Sequence, residues 1–88
     1  MRYALAPDVG FEPYDDAVYL APLPDGPILA LNGVAALIFR EATRGDAAGL
    51  LDRLVAHIDG PIDEITLHTR AFLDDLVARG VLLEVSDS

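Results

Sequence analysis

With 15 acidic against 6 basic side chains in 88 residues, every basic one an arginine, the chain carries a net charge of -9; a nucleic-acid backbone is a poor partner for it, because phosphates require a clustered positive face. The length is that of one domain, residues 1–88, and its 52% hydrophobic content more than supplies one small core, so some apolar surface is left to face a partner while the acidity keeps the protein in solution. There is no cysteine, which excludes disulfides, thiol catalysis and cysteine metal sites; no stretch reaches signal-peptide or membrane-spanning length, so a cytoplasmic protein with no membrane partner is expected.

Up to Leu31 the chain is punctuated by Pro7, Gly10, Pro13, Pro22, Pro24, Gly26 and Pro27, which suits short strands and turns and forbids a long helix. Residues 3–6 or 9–11 supply a first strand, 18–23 a second, and the turn Pro24-Asp25-Gly26 leads into a third at 28–31. The economical arrangement is a three-stranded antiparallel meander with the third strand at an edge.

After Asn32 the apolar period changes from two to 3.6. A first helix, capped by Asn32, is expected over about 33–42 with Val34, Leu37, Ile38 and Ala42 on its stripe, ending before Gly45. A second starts with Asp46 as its cap, places Ala47, Leu50, Leu51, Leu54 and Ile58 on one face, and ends at Asp59-Gly60-Pro61. A third runs over about 63–79, turns Ile65, Thr69, Phe72, Leu73 and Leu76 inward, and is closed by Gly80; residues 81–85 then read as a short strand or an extended tail. The class is therefore α+β: a small three-stranded antiparallel sheet followed by a three-helix bundle, similar to a winged helix-turn-helix with its sheet moved to the front.

Catalysis finds no support. Asp15-Asp16 and Asp74-Asp75 are not acid and base pairs, because neighbours on a strand face opposite sides and neighbours on a helix point about 100° apart. His57 falls in the last turn of the second helix, where a partly cationic ring suits the helix dipole. Nothing in the spacing of His57, Asp59, Glu64 and His68 requires a metal. No cofactor and no metal site is expected.

Two segments point to a binding surface instead. Ile28, Leu29, Ala30 and Leu31 are apolar on both faces of the third strand, and Pro27 lacks the N–H that a central strand would need. An edge without protective charges is a template for another chain, although a strand covered by helices would read the same way. On the third helix the inward stripe is complete without Leu67, Ala71 and Ala78, with Glu64, His68, Asp75 and Arg79 along its boundary. Ala71 beside Leu67 suits the wall of a shallow groove.

The run Asp25-Gly26-Pro27-Ile28-Leu29-Ala30-Leu31-Asn32-Gly33-Val34-Ala35-Ala36-Leu37-Ile38, followed by Gly45-Asp46 and by Phe72-Leu73-Asp74-Asp75-Leu76-Val77-Ala78-Arg79-Gly80-Val81-Leu82, resembles the PqqD-like peptide chaperones, the leader-peptide recognition elements of ribosomally made, modified peptides. The resemblance runs from Ala17 to Leu83. It implies a non-catalytic protein that takes a precursor leader peptide as a further antiparallel strand on the third strand, with the leader's apolar side chains dropping between that strand and the third helix. The implied peptide-binding residues are Ile28, Leu29, Ala30 and Leu31 on the strand and Glu64, Leu67, His68, Ala71 and Asp75 on the helix; His68 stands where the family usually has an acidic residue. The implied partner enzyme is a leader peptidase and cyclase, as in the lasso-peptide versions, or a radical-SAM enzyme, as in the pyrroloquinoline quinone version, with the lasso type preferred. The competing readings are a winged-helix DNA-binding protein, disfavoured by Asp63, Glu64, Asp74 and Asp75 against Arg70 and Arg79 on the third helix, and a small subunit docked permanently on an enzyme.

Overall fold

The computed structural model describes residues 2–22 and 26–86. Its elements run β1 (Arg2–Leu5), β2 (Val9–Tyr14), β3 (Ala17–Pro22), β4 (Leu29–Leu31), α1 (Gly33–Arg44), a 3₁₀ turn at Ala47–Gly49, α2 (Leu50–Val55), α3 (Ile62–Ala78) and β5 (Leu82–Val85). The expected antiparallel meander is β2-β3-β4, with β4 at one edge and Val18, Tyr19 and Leu20 facing Leu31, Ala30 and Leu29. Pro24 and Asp25 of the expected turn lie outside the described residues. At its end the amide of Gly26 donates to the carbonyl of Pro22 over 2.9 Å, and a Cβ on Gly26 would stand 2.5 Å from the Pro22 side chain, so only glycine fits there.

The sheet differs from expectation in one respect. Both candidate first strands form, and β1 pairs with β5 in a separate two-stranded sheet, Arg2 facing Val85 and Leu5 facing Leu82. Of the two outcomes expected for residues 81–85, a strand or an extended tail, the strand forms, at Leu82–Val85, and it completes the N-terminal one. The amide of Ala6 donates to the carbonyl of Val81 over 2.9 Å and Val9 donates to Ala6 over 3.1 Å, which carries β1 directly into β2.

The 3.6-residue period is realised with shifted ends. Asn32 occupies the N-cap position in an extended conformation, but its side chain makes no cap bond; its carbonyl instead accepts from Ala35 over 3.2 Å. Val34, expected on the buried stripe, is 53% exposed, and α1 buries Ala36, Ile38, Phe39, Glu41 and Ala42. Asp46, expected to cap the second helix, instead caps the 3₁₀ turn before it, its carboxylate accepting from the amide of Ala48, and α2 starts at Leu50 behind Gly49 with no side-chain cap. The second helix stops at Val55 rather than Ile58, because the amides of His57 and Ile58 both converge on the carbonyl of Leu54 and wind the helix down. His57 thus lies beyond the helix. Phe72, expected inward, is half-buried, whereas Ile65, Thr69, Leu73 and Leu76 are buried. Gly80, at φ 78°, ends α3: its amide donates to Val77 and that of Val81 to Leu76, the paired bonds that satisfy the last carbonyls of a helix.

One hydrophobic cluster joins both sheets to the helices, with Val18, Leu20, Phe39, Leu54, Leu76, Val81 and Leu82 almost wholly excluded from water. Two arginines fasten the periphery. Arg40 donates to the carbonyls of Asp15 and Ala17 at 3.1 and 3.2 Å, holding the β2–β3 hairpin on α1. Arg53 donates to the carbonyls of Glu41 and Asp46 at 2.9 and 3.1 Å, and its Nε lies 3.2 Å from the buried Glu41 carboxylate without the alignment of a hydrogen bond. That carboxylate also accepts from Arg44 at 3.1 Å, so α2 is latched to α1 by a charge that is itself compensated.

Candidate functional site

The strand β4 hydrogen-bonds to β3 on one side only; its other side ends the sheet. Strand alternation sends Leu31 into the core, where it is 5% exposed, leaves Leu29 half-buried on the same face, and turns Ala30 outward. Ile28 lies just before the strand and is 72% exposed. No charged side chain occurs from Gly26 to Gly33, so the free backbone edge is unguarded.

The helix α3 packs on α1, α2 and β5. Two open cavities lie near β4, one at its start and one beyond the start of α1. The larger, about 480 Å³, is bordered by Pro22, Gly26, Pro27, Ile28 and Leu29 on the strand side and by Arg79 and Val81 at the end of α3. The smaller, about 220 Å³, lies past the other end of β4, between Val34 and Ile38 of α1 and Glu64, Ile65, His68 and Thr69 of α3, with Ile58, Asp59, Gly60 and Pro61 closing one side. Asp75 meets Arg79 in an ion pair of 2.8 Å, one helical turn apart and more than half exposed at both ends.

The expected site residues are therefore unequally placed. Ile28 and Leu29 border the first cavity, Glu64 and His68 the second, and Asp75 is joined to the first through Arg79. Ala30 is exposed at the edge, and Leu31 offers only backbone. Leu67, 66% exposed, and Ala71 lie further round α3 and border neither cavity. Sequence reasoning left Pro27, Val34, Ile38, Ile58 and Val81 out of the site. For Val34 the signal was its position just after the strand, read as core because its period matched that of the buried residues. Among the described residues no group of three histidines or carboxylates is placed to hold a metal ion, and no helix is long and apolar enough to cross a membrane.

Residues 17–82 match the family model described as coenzyme PQQ synthesis protein D (PqqD). The chain belongs to the PqqD family. Among solved structures, this PqqD-family chain is similar to that of TbiB1 in complex with the TbiA(beta) leader peptide: the TM-score is 0.82 at 22% identity, over 96% of this chain and 99% of the other. At that identity the likeness is one of fold. No curated protein sequence matches it.

Proposed function

We propose that this PqqD-family chain binds the N-terminal leader of a ribosomally made precursor peptide and presents it to a maturation enzyme, doing no chemistry itself. The observation that carries this reading is the unguarded edge of β4, with one cavity at its start bordered by the end of α3 and a second, past its other end, lined by α3 itself. A peptide laid antiparallel along β4 would satisfy its backbone groups there and send alternate side chains toward α3, so that main-chain bonds supply affinity and the cavities supply selectivity. The family match and the fold shared with a protein solved in complex with a leader peptide support the same reading. The peptide-contacting set is Ile28, Leu29, Ala30 and the backbone of Leu31, with Glu64, His68 and Asp75 on the facing helix and Leu67 and Ala71 at its outer margin.

In this reading residues 1–88 act as one recognition domain in the cytoplasm, a winged-helix-like frame put to peptide binding. Holding the leader raises the local concentration of the precursor at the enzyme, for which a leader peptidase and cyclase of the lasso type is preferred over a radical-SAM enzyme. Binding of DNA through α3 is disfavoured because Asp63, Glu64, Asp74 and Asp75 stand against Arg70 and an Arg79 already paired with Asp75. The test is a calorimetric titration against leader peptides encoded beside the gene. Saturable binding that is lost on shuffling the leader sequence is expected, and the absence of binding to any of them would remove the reading.

A further inference from the structure

The smaller cavity has a chemistry of its own. Val34, Ile38, Ile58 and Ile65 give it apolar walls, while Asp59 and Glu64 bring two carboxylates to its border, neither with an ion-pair or hydrogen-bond partner among the described residues. Thr69, 3% exposed, also borders it, and its hydroxyl has no partner. That is unusual for this protein: the helical threonines Thr43 and Thr66 return their hydroxyls to the carbonyls of Phe39 and Ile62, one turn back, at 2.9 and 2.8 Å. Thr69 does not, and a buried hydroxyl left unpaired is costly, so a ligand donor that reaches it gains what the fold leaves open.

We infer that this cavity is a subsite for a lysine or arginine side chain of the bound peptide, N-terminal in that peptide to the apolar residue that occupies the larger cavity. The inference rests on the leader-binding reading above and deepens it. A long aliphatic stem matches the isoleucine walls, and a cationic head meets two carboxylates and the Thr69 hydroxyl. A purely apolar side chain would bury Thr69 still unsatisfied and desolvate the carboxylates. The N-terminus of α3 opposes a cation with the equivalent of about half a positive charge, against two full negative charges, so the local field is negative. Thr69 also borders a cavity of about 180 Å³ on the other side of α3, but Arg70 there would repel a cation.

The order along the peptide follows from topology. The strand β4 runs from the larger cavity toward α1 and the smaller one, so an antiparallel peptide meets the smaller cavity first. Side chains entering from one face of an added strand are separated by an even number of positions.

The experiment pans a phage library of random linear peptides against the intact protein, then titrates one selected peptide and its analogue with norleucine in place of the cationic residue. Selected sequences are expected to share lysine or arginine an even number of positions before a bulky apolar residue, and the analogue to bind about tenfold more weakly. In Asp59→Asn/Glu64→Gln, with folding checked by circular dichroism, peptide and analogue should bind alike. Selected peptides without the cationic preference, or a preference that survives the double substitution, overturn the subsite and leave the strand-addition reading standing. If no peptide is selected, both fall together.

Discussion

Ile28 and Leu31 lie three positions apart at one sheet margin and have opposite duties. Leu31 is 5% exposed in the core, so Leu31→Ala should cost about 2–5 kcal/mol of stability. Ile28 is 72% exposed beside the larger cavity, so Ile28→Ala should change stability by no more than about 0.5 kcal/mol while weakening peptide binding. Denaturant unfolding and a peptide titration on the same two variants check both; a stable Leu31→Ala protein would mean that the strand register is wrong. Tyr3 provides a pH signature. Burial, with help from the carboxylates of Glu84 and Asp74 and against Arg70, raises its phenol above the ordinary 10.0. The folded chain therefore holds this proton more tightly than the unfolded one; stability is full below about pH 10 and declines as pH climbs through the folded value. There is no lysine or cysteine in the sequence to titrate in that window. Denaturation midpoints should fall as pH climbs above about 10, and Tyr3→Phe should make the fall smaller.

At the scale of the element, β4 makes the sharpest prediction. In an antiparallel pair successive residues alternate in the direction of their N–H groups, so of Leu29 and Ala30 one donates toward β3 and the other toward the free edge. Proline at the outward position should abolish peptide binding with the fold retained, and proline at the inward position should unfold the β3–β4 pairing. Equal binding by both variants, each shown folded, would rule out strand addition at this edge. The strand was legible in the sequence because Pro27 and the lack of charge are local features, and so were α1 and α3, whose stripes run for several turns. The end of α2 was not, because Ile58 keeps the helical period and packs on the core from a segment no longer helical. The cavities were legible only in part. Glu64 and His68 could be placed on a helix boundary, but Val34 and Val81 become site residues through contacts across elements, which no local spacing records.

For the molecule as a whole, the pairing of β1 with β5 joins segments nearly the whole chain apart, and for that reason neither strand could be assigned a partner from its own residues. It also bears on stability. Ala6 is buried and Tyr3 and Leu5 pack against the core, so deleting residues 2–6 should strip apolar cover from α1 and leave β5 without its partner. Thermal unfolding is expected to drop by more than about 10 °C, since each kcal/mol is worth about 4–8 °C at this size; an unchanged midpoint would show the ladder to be ornamental. The same ladder sets Arg2 directly across from Val85, a separation of only about 5 Å between facing strand residues. An enzyme fused to either end of the fold would start from one point on its surface and meet the captured peptide in one orientation. Gene order in such a fusion would be free to vary, and a short bridge across that gap would yield a circularly permuted receptor with its peptide edge unchanged.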